Sequence, residues 1–580
     1  MCGIAGLLGH FGPDRSPIAA MIQSIAHRGP DGIRTAFGPG WALAHARLSV
    51  IDLEGGWQPL QRDDLTAIGN GEIYNYKELA RDHGLTAHLS TGSDFEPLLH
   101  LFEREGPRAF DRLRGMYALC LIAPDKGTWL VRDPFGIKPL YWTRRGPGLA
   151  FASEPRALLL DARPGIVPER IEELLCLNYS LTDGTVYDEV QRLAPGAVQP
   201  VSDGQIGQPT YRPALPPKPA VFPRWEEDLL LALDRILEDS VSVHQRSDVP
   251  YGLFLSGGID SATIATVMSR LNARPVTAFT CGFELPDDEA WQARDERRQA
   301  ERVAKALKLD WREVSFDEAD FWRILPQVVW AMDDPTSDYA SLPTYRLAEA
   351  AKGDLTVVLT GEGGDELFGG YGRYRRALRP RWLGGRPAEP QILAPFLKDR
   401  GAGALARWRA AAKAPKGLSA LQSAQYGDIV TWLPNDLLIK LDRCLMAHGL
   451  EGRTPFLDPA VAAFAFHLPD RMKVRGRMGK WLLRQWLARH CPAAEPFAKK
   501  KGFTVPVATW IAPYAADLGP RIAQCAGIAQ VCDLEAVRTV FSDERYSASR
   551  WPLLFYALWY AIHIEGEAPI QALNALLTRR

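Results

Sequence analysis

No two cysteines in this chain are spaced C-x-x-C. Its eight cysteines stand at 2, 120, 176, 281, 444, 491, 525 and 532, too scattered for a zinc framework or a secreted disulfide scaffold, which points to a reducing compartment. Neither sign of charge is in excess. The 68 Lys and Arg against 69 Asp and Glu leave a net −1, so no global field invites nucleic acid or an anionic membrane, and small-molecule substrates are expected. Long apolar runs are missing too: the longest, LLFYALWYAIHI, has about 12 residues where a bilayer needs about 20. The first residues lack the basic and apolar regions of a signal peptide, so a soluble, cytoplasmic protein that starts at its functional start is expected. There is no G-x-x-x-x-G-K-[ST] phosphate loop, no internal repeat and no low-complexity tract.

What is present is length and patterning. The 580 residues, 46% of them hydrophobic, exceed one ordinary domain and can fill two cores. Up to about residue 205 the pattern is of short strands: in GMYALCLIAPDKGTWLVRDPFGIKPLYW two apolar runs flank the turn PDKGT and a third follows DPFG, an antiparallel signal. YRPALPPKPAVFPRW, residues 211–225, carries five prolines and no apolar period, and reads as a stiff linker. This predicts a domain over 1–210, the linker, and a second domain over 226–580. In the second, helices alternate with β-rich runs such as TAFTCGF and LTVVLT, the pattern of βα units on a mainly parallel sheet. After residue 420 the strands fade, and LLIKLDRCLMAHGL and GKWLLRQWLARH suggest a helical extension.

Two glycine-rich turns carry chemistry. In YGLFLSGGIDSATIATVMSR a buried strand runs into a tight loop, and Ile264, Val267, Met268 and Leu271 then fall at helical spacing. The loop therefore sits at a helix N-terminus, where backbone N–H groups favour an anion. Gly257 and Gly258 let a phosphate approach the chain, Ser256 and Ser261 add hydroxyl donors, and Asp260 can hold magnesium carried by phosphates. The second turn, LTVVLTGEGGDELFGGYGRY, crowds Glu362, Asp365 and Glu366 at the carboxyl end of a strand, where open α/β sheets place ligands. Either turn alone is common as plain strand-to-helix geometry. Together they mark a nucleotide site.

SGGIDS resembles the pyrophosphate loop of the ATP pyrophosphatases, which release AMP and pyrophosphate. MCGIAG, HRGPDG, ARLSVID, NGEIYN and TGSDFE resemble, motif by motif, the class II glutamine amidotransferase domain. In this order, with SGGIDS and GEGGDE behind them, they resemble the glutamine-hydrolysing asparagine synthetase family over essentially the whole chain. Amidophosphoribosyltransferase and glucosamine-6-phosphate synthase share the first half only. The resemblance implies an αββα N-terminal-nucleophile hydrolase sandwich, followed by an α/β ATP-pyrophosphatase domain with a parallel sheet and the helical extension. ATP and Mg2+ are the implied cofactors, and a homodimer the implied assembly.

The chemistry accounts for the cysteine behind Met1. Its small size permits removal of Met1, which leaves Cys2 with a free α-amine of pKa near 8, a suitable base for its own thiol. By resemblance, Arg47 pairs with the glutamine α-carboxylate and Asp94 with its α-ammonium, while Leu48, Ser49, Val50, Ile51 and Glu72 complete the pocket. Asn70, through its side chain, and Gly71, through its N–H, correspond to the oxyanion hole. Freed ammonia must avoid bulk water, which implies a sealed tunnel, with Met116 on the strand that forms one wall.

In the second domain the resemblance puts adenine near Phe254 and Cys281, and ribose and α-phosphate near Thr360 and Gly361. It matches Asp260 and Asp365 to magnesium, sets Tyr371 in the FGGY stretch, gives Glu362 to ammonia attack and Lys480 to phosphate. LEGRTPFLD, with Glu451 and Arg453, matches the acceptor-side loop. Arg156 stands where lysine is common in the family, a swap that keeps the charge, and the acceptor region MDDPTSDYASLPTY is where family members vary. The expected reaction is amidation of aspartate through an acyl adenylate. A uronic acid or peptide acceptor remains the alternative. Ring-closing relatives such as β-lactam synthetase need no glutaminase, and a non-catalytic sensor need not keep Cys2, Asp260 and Glu362 together.

Overall fold

The computed structural model describes residues 2–9, 16–160, 164–215, 225–285, 295–386, 388–390, 394–498 and 504–577. Two antiparallel sheets form the first half. One has the strand order Gln191–Arg192, Tyr141–Arg145, Gly148–Ala152, Gly3–Leu8, Trp41–Arg47, Gly32–Gly38. The other runs Gln205–Ile206, Ala197–Ser202, Gly127–Arg132, Gly115–Ala123, Leu65–Ile73, Leu60–Arg62.

The glycine-punctuated opening run has a physical reason. Strand Gly3–Leu8 is buried on both faces, so it reads as continuous apolar sequence rather than alternation. Ile4 and Leu8 face the second sheet, packing with Ile68, Ala118, Cys120 and Leu130. Ala5 and Leu7 face outward against Ile18, Met21 and Ile22 of helix Ser16–Ser24. Gly6 points between the sheets, where a Cβ would lie 2.2 Å from the Phe151 ring. On the far side, helix Glu96–Glu105 covers the second sheet, Leu98 and Phe102 packing with Tyr117 and Leu119. The layers are helix, sheet, sheet, helix, as expected.

The second half is built on a five-stranded sheet, parallel throughout, ordered Asp310–Phe316, Thr277–Phe283, Tyr251–Phe254, Val357–Leu359, Glu451–Arg453. The chain order reverses beside Tyr251–Phe254, and the loops leaving this strand and Val357–Leu359 open into the same crevice, the usual ligand position of such sheets. Helices follow to the C-terminus, ending in Arg550–His563, buried along most of its length, and Pro569–Leu577. Strands do not end near residue 420, however. Glu451–Arg453 is the fifth strand, only three residues long and so too short to show a period. Tyr211 still pairs with Ala197, while residues 216–224 of the proline-rich run lie outside the described residues. Among the described residues no helix is long and apolar enough to cross a membrane.

Candidate active sites

Cys2 precedes strand Gly3–Leu8 and is gripped through its main chain. Its N–H donates to Asn70 Oδ1 at 3.1 Å, and its carbonyl accepts from Arg28 Nε at 3.3 Å. Its Sγ lies 3.7 Å from the Leu48 carbonyl. Burial pushes the thiol up, so a nearby base is needed to ionise it at neutral pH. Asn70 is fully buried, and its Nδ2 has no acceptor among the described residues, an orphan donor beside the nucleophile. Gly71 has φ 139°, and a Cβ there would lie 2.0 Å from the Met116 carbonyl. Only glycine fits against the neighbouring strand.

The rest of the set expected for glutamine gathers around this point. Strand Trp41–Arg47 delivers Arg47, whose guanidinium donates to the carbonyls of Leu53 (3.0 Å) and Asp52 and stacks 4.8 Å from the Trp57 ring. Ser49 N–H donates to Asp31, and the Val50 carbonyl accepts from Asp248 N–H at 2.9 Å. Ile51 is partly buried against the same core. Asp94 Oδ2 accepts from Ile73 N–H at 2.7 Å, and burial raises its carboxyl to about 7.

The second set lies at the carboxyl ends of the parallel strands. Ser256, Gly257, Gly258, Asp260, Asp365, Tyr371 and Lys480 line one cavity of about 570 Å3. Ser261 Oγ holds the loop closed, meeting Ser256 Oγ at 3.0 Å. The two turns touch: a Cβ on Gly361 would lie 2.8 Å from Asp260 Cβ and 3.0 Å from Ser261 N. Thr360 N–H donates to the Arg453 carbonyl at 2.9 Å. Tyr371 OH donates to Glu366 at 2.6 Å, a carboxyl that burial raises to about 8. Phe254 and Cys281 stay in the wall of the sheet; Cys281 packs in the core, where burial pushes its thiol to about 12.

Lys480 stands in the left-handed region (φ 56°) just before helix Trp481–His490. It is not the solvated lysine common at helix starts. Buried, it bonds Asp260 and lies 2.7 Å from Asp365, so both carboxylates lie within reach of one ammonium. Two carboxylates that meet one ammonium and line the cavity could hold magnesium, which keeps water and phosphate oxygens as its remaining ligands. Among the described residues no cluster of three or more His, Cys, Asp or Glu forms a metal cage.

Glu451 and Arg453 depart from expectation. Both are wholly buried; Arg453 bonds Glu451 at 2.5 Å and donates to the carbonyls of His244 and Arg246. Arg453 lies 3.6 Å from Glu72, on the Cys2 side of the sheet, away from the nucleotide cavity. Its Nε and Nη1 are committed internally, Nη2 has no hydrogen-bond partner among the described residues, and neither residue lines the nucleotide cavity where the acceptor was expected. The sequence reading placed Asp338 only within the variable acceptor segment MDDPTSDYASLPTY and did not single out Lys440. Lys440, from helix Leu438–Met446, meets Asp338 at 2.9 Å and Glu362 at 3.9 Å, and both Lys440 and Asp338 line the cavity. Burial raises the Glu362 carboxyl; Lys440 opposes the shift and Asp338 adds to it. Lys440 stands in the LLIKLDRCLMAHGL helix without a glycine turn to advertise it.

The two halves also share one buried apolar cluster. Leu48, Val50, Tyr74, Met116 and Phe135 from the first pack with Leu359, Phe456 and Leu457 from the second.

The family model described as asparagine synthase matches residues 232–562, and that described as glutamine amidotransferase domain matches residues 1–212. The chain belongs to the asparagine synthase family. It is 32% identical to asparagine synthetase [glutamine-hydrolyzing] 1 of Bacillus subtilis, over 97% of each chain. Asparagine synthetase B of Escherichia coli is 29% identical over 86% of this chain and 80% of its own. Asparagine synthetase [glutamine-hydrolyzing] 3 of Arabidopsis thaliana is 29% identical over 83% and 74%. As a member of the asparagine synthase family, this chain is a carbon–nitrogen ligase.

Proposed function

We propose that this member of the asparagine synthase family makes asparagine from aspartate, glutamine and ATP. The observation that carries the reading is the pairing of a main-chain-clamped Cys2 beside an orphan Asn70 donor with a second cavity lined by SGGIDS, Asp365 and Lys480.

After removal of Met1, the Cys2 amine takes the thiol proton and the thiolate attacks the glutamine side-chain carbonyl. Asn70 Nδ2 and Gly71 N–H receive the oxyanion, where donors act most strongly because water is excluded. The amine returns the proton to the departing ammonia, and water then hydrolyses the thioester to glutamate. Arg47 and Asp94 hold the two ends of the free amino acid.

The buried cluster around Met116 offers ammonia an apolar surround in which it stays unprotonated. In the second site the acceptor carboxylate attacks the α-phosphorus and pyrophosphate leaves. The Ser256–Ser261 loop binds the leaving phosphates, and Lys480 neutralises them. Magnesium held by Asp260 and Asp365 would supply further charge neutralisation. Ammonia attacks the acyl adenylate, AMP departs, and Glu362 takes the surplus proton. Lys440 is the cation facing the acceptor side of the cavity, beside Asp338 and Glu362, and replaces Glu451 and Arg453 as the acceptor contact.

With ATP, magnesium and ammonium, aspartate is expected to elicit equal amounts of pyrophosphate and AMP. Background release with aspartate, against stimulation by a uronate or peptide, would replace the acceptor and keep the ligase chemistry.

A further inference from the structure

Arg28 ties the nucleophile to the other half of the chain. Its guanidinium is fully buried; Nε donates to the Cys2 carbonyl at 3.3 Å, and Nη1 to Glu154 at 2.8 Å. The remaining contact is a two-pronged grip on Asp442, 414 residues away, Nη1 to Oδ2 at 2.8 Å and Nη2 to Oδ1 at 3.0 Å. A planar guanidinium held at two parallel bonds cannot rotate without breaking both, so Asp442 fixes the direction in which Nε points. Arg443 pins the carboxylate from behind at 3.0 Å and is itself held by Asp333 at 2.9 Å. Burial opposes ionisation of Asp442, but the charge and bonds of Arg28 outweigh it and keep the carboxyl below its usual range.

We infer that Asp442, in the ATP-using half, is a positioning residue of the glutaminase: through Arg28 it sets the Cys2 main chain, and with it the α-amine that serves as base. The inference rests on the functional reading of Cys2 given above. With Asn70 holding the N–H and Arg28 the carbonyl, Cys2 is fixed on both sides of its Cα, and loosening one side moves amine and thiol relative to the glutamine carbonyl. Arg47 and Asp94, which would bind glutamine, have no hydrogen bond to Asp442. Loss of the carboxylate should therefore lower kcat rather than raise KM. Lys440 projects from the same helix, Leu438–Met446, to Glu362, so one rigid element reaches both sites.

The test is steady-state glutamine hydrolysis by full-length Asp442→Asn and Asp442→Glu, in protein whose Met1 has been removed. Asp442→Asn keeps the shape but offers one oxygen. Its kcat is expected to fall about tenfold, with the glutamine KM within twofold of wild type and partial recovery in Asp442→Glu. Ammonium-dependent pyrophosphate release, which needs no thiol, should persist. The pH dependence of Cys2 alkylation by iodoacetamide, mapped by mass spectrometry, should shift in Asp442→Asn, because the amine no longer faces the thiol as before. An unchanged kcat and alkylation profile overturns the inference, and so does joint loss of both activities, which would mark a purely structural role. Should Asp442→Asn fail to fold, Arg28→Lys retains the charge but cannot bond Asp442 and the Cys2 carbonyl together; a wild-type kcat there also overturns it. A wild-type protein that hydrolyses no glutamine would instead contradict the functional reading.

Discussion

Asn70 offers the sharpest quantitative test of the first site. Its Oδ1 accepts the Cys2 N–H at 3.1 Å while its Nδ2 is buried without an acceptor among the described residues. Leaving a buried donor unsatisfied costs about 1–3 kcal/mol, and an oxyanion placed beside Nδ2 would be its partner. Removing a single oxyanion donor elsewhere costs about 10²–10³ in kcat, or roughly 2.7–4 kcal/mol. Asn70→Ala removes the donor and the Cys2 N–H bond together. Asn70→Asp keeps an acceptor for that N–H and replaces only the donor, near the Glu72 carboxyl. Both are expected to lower the kcat of glutamine hydrolysis by about 10²–10³ with the glutamine KM within about threefold, because uniform binding is untouched. Glutamate release measured across a range of glutamine concentrations separates the two constants. A kcat within threefold of wild type in Asn70→Ala, or a loss confined to KM, would refute the oxyanion role.

The pH dependence of the same reaction follows from Asp94. Burial raises its carboxyl to about 7 in the free protein, so below that pH it is neutral and cannot pair with an α-ammonium; kcat/KM for glutamine should rise with pH through about 7, and Asp94→Asn should lose this limb along with most affinity. In the second site, Lys480→Met leaves the Asp260 and Asp365 carboxylates without their shared ammonium; pyrophosphate release should fall at least 10²-fold while glutamine hydrolysis persists, and parallel loss of both would contradict the assignment.

Legibility in the sequence followed the range of the determinants. SGGIDS and GEGGDE announce themselves because glycine-rich turns at strand ends impose local patterns, whereas Cys2, Asn70 and Gly71 were reached through the family resemblance; the fold gathers these residues into two groups. The apolar runs gave only an antiparallel sheet; the helix, sheet, sheet, helix layering was implied by the family resemblance. Lys440, its pairing with Asp338, and the Arg28–Asp442 pair were not legible, since each joins ordinary charged residues 102 or 414 positions apart. Glu451 and Arg453 show the converse: the motif LEGRTPFLD suggested an acceptor loop, but it contains the three-residue strand Glu451–Arg453, and Arg453 reaches Glu72 on the Cys2 side. Short parallel strands carry no period, so only the assembled sheet shows which way they point.

The central claim, two sites in one chain that exchange only ammonia, is tested most directly by Cys2→Ala. Pyrophosphate and amide formation are measured in parallel with glutamine and with ammonium chloride as the nitrogen source. The account predicts that glutamine-dependent synthesis and glutamine hydrolysis disappear while ammonium-dependent synthesis stays within about twofold of wild type. Glutamine hydrolysis surviving in Cys2→Ala, or ammonium-dependent synthesis lost with it, would contradict it.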